Sequence, residues 1–347
     1  MEIYDTRALI GVIRVMKPLT PYWLQYFPRT LTFDSMDIQF DMVADSRVLA
    51  PFVAPNVQGR VMAQLGHTAK VFRPAYVKPK HAVDPSQGLP RMAGEALAGE
   101  MSAGQRVQAI IVENMRRERE MIERRWEWMA AKAIIDGQVT VSGEDYPSVT
   151  VSFGRHADLA ETLLTTERWS QSTATPLADI AAKRKRSFEL ARTPITRLTF
   201  GADAWEYFST HADVTALLST QQRGSTTDFS LVAADPGPFE YMGRLAGSAG
   251  IGGLELYRYS DQYDDDSGTA TDVLDTNTVI GTGPGIQGVR CFGAIRDLDA
   301  GPNGLAALEM FPKMWQVPDP STAYTMIQSA PLMVPAQPNG SFKLKVH

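Results

Sequence analysis

The sequence predicts an α+β chain in which extended segments reach away from one long helix, and three observations carry that prediction. Residues 33–42 alternate, with Met36, Ile38, Phe40 and Met42 on one face and Asp37, Gln39 and Asp41 on the other. That is the period of a strand with one wet face. Residues 72–81 form an extended, basic, proline-spaced run, Phe72-Arg73-Pro74-Ala75-Tyr76-Val77-Lys78-Pro79-Lys80-His81. Between Ser102 and Asp136 the apolar residues Val107, Ile111, Met115, Ile122, Trp126, Met129 and Ala133 recur at three- and four-residue steps, the stripe of an amphipathic helix.

The first 30 residues place Pro18, Pro21 and Pro28 around the aromatic run Tyr22-Trp23-Leu24-Gln25-Tyr26-Phe27, after a short helix expected over Arg7 to Val15 with Asp5 as its cap. The aromatic run needs a surface to bury against. That surface is either the domain's own core or, if this is an arm, its own and neighbouring subunits. Pro51, Pro55 and Gly59 interrupt the chain between the alternating strand and the second extended stretch, Lys70 to Val83. Residues 33–83 therefore read as a two-stranded excursion with an irregular tip. An isolated hairpin is barely stable in water, so this one must lie on its own domain or on a neighbour. Its basic residues, Lys70, Arg73, Lys78 and Lys80, form either a solvated face or partners for acidic groups on another copy.

The long helix carries favourable pairs four apart, Glu113 with Arg117 and Glu120 with Arg124. Glu118 interrupts its stripe, and Gly137 stops it in the manner of a left-handed cap. Its charged middle, Arg116 to Arg125, is a solvated face, or faces an enclosed volume or a neighbour's loop. Short strands follow at 139–142 and 149–153, then a polar loop at 155–177. A helix over Pro176 to Leu190, a strand at 195–200 and a helix from Asp203 come next, with loops through 221–253. Extended segments at 254–260, 273–281 and 289–297 and an apolar strand at 324–334, buried against the helix's sheet, complete the reading.

Composition narrows the function. The chain has 347 residues, room for two domains, and 44% hydrophobic with 21% charged residues argues for a folded chain. No apolar run is long enough to span a membrane, and Met1-Glu2-Ile3-Tyr4-Asp5 does not open as a secretory signal. The net charge of −5 argues against a dedicated nucleic-acid binder, though not against a protein that encloses DNA without gripping it. A single cysteine, Cys291, forms no intrachain disulfide, and five scattered histidines offer no metal-ligand pair. The run Gly283-Pro284-Gly285-Ile286-Gln287-Gly288 matches the spacing of a dinucleotide loop. No helix is predicted after it, so a turn between strands is expected and no cofactor. Asp264, Asp265 and Asp266 lack the spacing of a calcium loop and read as an acidic tip able to meet a partner's basic loop. With no catalytic signature, no enzymatic residue is nominated.

Three stretches resemble the lambda-type major capsid proteins of tailed phages, the major head protein E family. They are Pro74-Ala75-Tyr76-Val77-Lys78-Pro79-Lys80-His81-Ala82-Val83-Asp84-Pro85, the strands from Val139-Thr140-Val141-Ser142-Gly143-Glu144 through Val151 to Gly154-Arg155, and Phe311-Pro312-Lys313-Met314-Trp315 with Tyr324-Thr325-Met326-Ile327-Gln328-Ser329-Ala330-Pro331-Leu332-Met333. The resemblance runs over essentially the whole chain, and residues 156–255 diverge most.

The resemblance implies the Hong Kong-type capsid fold. Its parts would be an N-terminal arm (1–30), an extended loop (31–83), a peripheral domain (84–177 and 286–347) with a spine helix at about 102–136, and an axial domain (178–285). It implies pentamers and hexamers closing an icosahedral shell around double-stranded DNA, assembled in the host cytoplasm. A decoration protein, a scaffold and a portal are implied as partners. Contacts between copies are expected at Tyr22, Trp23, Tyr26 and Phe27, at Lys70, Arg73, Lys78 and Lys80, and at Asp264, Asp265 and Asp266. The alternatives are a soluble cofactor-binding enzyme and an encapsulating shell with protein cargo.

Overall fold

The computed structural model describes residues 9–10, 13, 21–43, 67–84, 86, 102–143, 146–215, 238–245, 253–265, 268–300, 303–319 and 322–347, with 41–43 and 67–70 as backbone alone. Most of the helix expected at 7–15, the tip of the excursion at 44–66, Asp266, and most of the loops expected over 221–253 lie outside these residues.

The helix α1 spans Ala103–Ile135, about 50 Å at 1.5 Å per residue. Ser102 begins it with a reciprocal capping box: its hydroxyl accepts the Gln105 N–H at 3.3 Å, and the Gln105 side chain accepts the Ser102 N–H at 2.8 Å. Gly137 ends it at φ +67°, where a side chain would collide with Arg155. Arg155 donates to the last-turn carbonyls of Ile134 and Ile135 at 2.8 and 2.9 Å, and its burial lowers its pKa to about 10. Of the predicted stripe, Ile111, Met115, Ile122, Trp126, Met129 and Ala133 are buried, and Val107 packs against the same core. The Glu113–Arg117 pair forms at 3.0 Å, whereas Glu120 meets Arg116, one turn before it, in place of the expected Arg124 one turn after.

Two sheets flank α1. In one, Thr322–Gln328 lies between Phe311–Val317 and Lys80–Val83, all antiparallel. In the other, Val289–Phe292 lies between Arg29–Thr32, parallel, and Pro331–Val334, antiparallel. The apolar stretch expected at 324–334 thus splits into two strands, one in each sheet, and both contact α1. The excursion is present as Ile38–Val43 paired antiparallel with His67–Phe72, and Ile38 and Phe72 are buried opposite one another at its root. Gln138–Gly143 and Tyr146–Ser152 form the expected hairpin after α1.

A second hydrophobic core lies on a six-stranded sheet. Its order is Ala160–Thr162, Ser341–Lys345, Thr278–Thr282, Arg197–Phe200, Leu254–Tyr259 and Phe239–Leu245. Helices α2 (Pro176–Ala191) and α3 (Ala202–Thr210) accompany it. This sheet crosses the expected boundaries at 177/178 and 285/286. Ser341–Lys345 sits inside it, with the Phe342 ring in the space left by Gly281, where a Cβ would lie only 2.1 Å away. Leu159, Leu163 and Trp169 also join this second core.

Candidate assembly surface

The aromatic run at 22–27 folds into the chain's own interior. Tyr22, Trp23, Tyr26 and Phe27, expected as contacts between copies, are all buried within the single chain. Most of their polar groups have partners within the chain, the buried Trp23 indole N–H excepted among the described residues. Glu127 of α1 accepts the N–H groups of Tyr22, Trp23 and Leu24 at 2.8, 2.6 and 2.9 Å. Arg290 donates to the carbonyls of Phe27 and Leu24 at 2.7 and 3.3 Å. The hydroxyls of Tyr22 and Tyr26 meet Thr199 and Thr282 at 2.7 and 2.8 Å, and burial raises the pKa of both phenols. The Phe27 ring fills the place that a Gly288 side chain would need. Burial also raises the Glu127 carboxyl, opposed by the three backbone donors. The run therefore fixes the root of the N-terminal segment to both cores.

The basic stretch divides. Arg73 closes a two-point ion pair with Asp37 across the root of the excursion, at 2.7 and 3.1 Å, holding the Asp37 carboxyl below its ordinary value. Arg73 is thus engaged within the chain. Tyr76 accepts the Arg296 N–H and donates to the Ala294 carbonyl, while Val77 pairs with Ser329. Lys78 and Lys80 stay exposed and meet no carboxylate among the described residues. The Lys78 Nζ lies 4.6 Å from the Tyr76 ring centre. The Lys80 Nζ lies 3.8 Å over Tyr324, which stacks on Trp315. The Lys70 side chain lies outside the described residues.

The residue that interrupts the α1 stripe is fully buried. Glu118 accepts the Thr325 hydroxyl at 2.6 Å and lies 3.1 Å from His81 Nδ1, while its Oε2 has no partner among the described residues. It joins α1 to the strand Lys80–Val83 and to Thr322–Gln328 beside it. Burial raises its pKa, opposed by these two partners. Sequence reasoning noticed only the interruption; a charged residue at a core-facing helical position was the available signal for a buried polar junction. For Glu127 and Arg290 no local pattern announced a role.

The acidic tip is a hairpin, Gln262–Asp264 with Ala270–Asp272. Asp264 is exposed. Asp265 accepts the Thr269 N–H at 2.9 Å, which shapes the turn. Asp264 and the α1 residues Met121, Arg124, Arg125 and Trp128 share an open groove of about 730 Å³ that also reaches Pro21 and Arg290. Lys80 lies in a different sheet and Lys78 in the segment leading to it, and neither meets this tip among the described residues.

The glycine-rich run is a turn packed by its own chain. Pro284–Ile286 forms one 3-10 turn, and the strand Val289–Phe292 follows. Side chains at Gly283 or Gly285 would meet Pro194 or Thr193 within 2.3 Å. The backbone approach that a dinucleotide loop leaves for phosphate is filled here by protein. Among the described residues no helix is long and apolar enough to cross a membrane.

Comparison with known proteins agrees with this architecture. The chain is 30% identical over 345 residues to the major capsid protein of Escherichia phage lambda, covering 98% of each chain. It is 30% identical to that of Escherichia phage N15, covering both chains completely. A crystal structure described as a candidate capsid protein of a prophage of E. coli CFT073 superposes over the whole of both chains with a TM-score of 0.75 at 24% identity, which shows the fold. Residues 5–346 match the family described as phage major capsid protein E, and the chain belongs to that family.

Proposed function

We propose that this chain is the major capsid protein of a tailed phage, a structural subunit and not an enzyme. Copies form pentamers and hexamers that close an icosahedral shell, part of the virion, around double-stranded DNA held without sequence recognition. The observation that carries the reading is the division of the molecule. Two packed cores are locked together by the 22–27 turn, while the excursion leaves them through one two-stranded root, Ile38–Val43 with His67–Phe72. A rigid body with a hinged extension is what a subunit needs to fit several slightly different environments in a closed shell.

In this reading residues 1–30 form the arm, 31–83 the extended loop, and α1 the spine of a peripheral domain. The axial domain is the six-stranded unit, with 157–175 and 341–346 added to 178–285. Lys78 and Lys80 face a neighbouring copy, where exposed carboxylates such as those of the 264–266 tip are their partners. The groove beside α1 receives an extended segment from the next subunit. A decoration protein, a scaffold and a portal complete assembly in the host cytoplasm. Negative-stain microscopy of the purified chain, with and without a co-expressed scaffold, tests the proposal: closed shells or capsomers are expected, and a uniform monomer under both conditions contradicts it.

A further inference from the structure

One ionisable junction is shut inside the chain. Glu118 of α1 is fully buried, and its contacts come from two neighbouring strands. The Thr325 hydroxyl donates to its Oε1 at 2.6 Å, and His81 Nδ1 lies 3.1 Å from the same oxygen. His81 and Thr325 are cross-strand partners, so one face of the sheet presents both to the helix. The second oxygen, Oε2, is buried without a partner among the described residues. The charges on the surrounding elements are engaged elsewhere. On α1, Arg117 pairs with Glu113 and Arg119 with Glu123. Lys80, one residue from His81 and so on the opposite face of the sheet, stands over Tyr324. Lys313 reaches Asp297 and Asp299, and Asp84 accepts the Ser86 N–H. His81 is therefore the group placed to offset a charge on Glu118, and its side chain is 33% exposed, which leaves a route for a proton to solvent.

We propose that Glu118, His81 and Thr325 form a proton-dependent latch between α1 and the strand Lys80–Val83, closed while the Glu118–His81 pair holds a proton and loosened when it holds none. With a proton, the pair is a neutral carboxyl against an imidazole or a carboxylate against an imidazolium. Neither buries an uncompensated charge. Without it, a carboxylate in the interior faces a neutral ring, and an unpaired buried charge is costly. The direction follows from burial, which makes the folded chain hold the Glu118 proton more tightly than the unfolded one, so this contribution is lost as pH rises above the ordinary 4.5. Lys80–Val83 is the edge strand of its sheet and follows the excursion in sequence. Opening the latch adds it to the length of chain that the excursion can move. The inference goes beyond the shell reading, because a single subunit shows it.

Hydrogen exchange of the full chain, followed by mass spectrometry, tests it, with each rate taken relative to the unprotected peptide at the same pH. Protection at 80–83 is expected to fall by about tenfold or more as pH rises from 4.5 to neutrality. The buried strand Thr278–Thr282 of the other core keeps its protection over the same range. Glu118→Gln, which cannot carry the charge, keeps 80–83 protected throughout. His81→Gln retains a donor to Glu118 but cannot hold the proton, and should lose its protection at a lower pH than the parent. Protection at 80–83 that does not change with pH overturns the latch. So does a Glu118→Gln profile with the parent's pH dependence, or a His81→Gln profile that coincides with the parent's. Equal loss at Thr278–Thr282 also overturns it, since the whole chain then opens. Where a variant fails to fold, the profile of the unaltered chain alone decides.

Discussion

Glu118 is a carboxylate where the helical stripe calls for a hydrocarbon, and its surroundings decide what it does with pH. Burial raises its folded pKa above the ordinary 4.5, so the folded state holds this proton more tightly than the unfolded chain. Its contribution to stability is fully present below 4.5 and is lost as pH rises through the higher folded value. Glu118→Gln keeps an oxygen for the Thr325 hydroxyl and removes the charge. The variant should match the parent in acid and become the more stable of the two as pH rises toward neutrality, in denaturant titrations of both proteins. A constant difference across that range would remove Glu118 as the titrating group. Glu127 is the opposite case, a carboxylate whose worth lies in its three backbone donors. Glu127→Ala leaves those N–H groups without their acceptor and should cost on the order of 3 kcal/mol in unfolding free energy. Faster amide exchange at 22–24 is expected with it, and Glu127→Gln should lose less.

At the scale of elements, the sequence was most legible where periodicity and end signals coincided. The α1 stripe and its Gly137 stop placed that helix within a residue of Ala103–Ile135. Alternation at 36–42 likewise placed the first strand of the excursion. The run 22–27 was not legible in the same way. Six residues rich in aromatics announce burial but not its site, and the partners that settle it lie more than 100 residues away. The 324–334 stretch was read as one strand because apolar character is continuous through it. The break at Ser329-Ala330 follows from a tertiary bond, the Gly293 N–H to the Ala330 carbonyl at 2.9 Å, that carries the chain from one sheet to the next. The exposed site residues were half legible: Lys78 and Lys80 remain outward, while Arg73 found Asp37 across the hairpin, a pairing that depends on register.

For the whole molecule, the question is which surfaces the isolated chain leaves for others. Lys78 and Lys80 each rest on aromatic rings, so their positions are restrained before any partner arrives. Changing both to glutamate should reduce assembly while leaving the folded subunit intact, since neither is buried. Because the attraction is between exposed charges, raised salt should weaken assembly of the parent more than that of the variant. Particle yield by sedimentation at low and high salt measures both effects. Equal yields for parent and variant at both salt levels would remove electrostatics from this contact.

The placement of Ser341–Lys345 has a consequence for how the protein is made. This strand lies between Thr278–Thr282 and Ala160–Thr162, so the sheet has a gap until residue 345 has left the ribosome. A nascent chain lacking it exposes Gly281 and its neighbours in place of a finished body. Translation itself therefore withholds each recruit from the growing lattice until synthesis has passed this point.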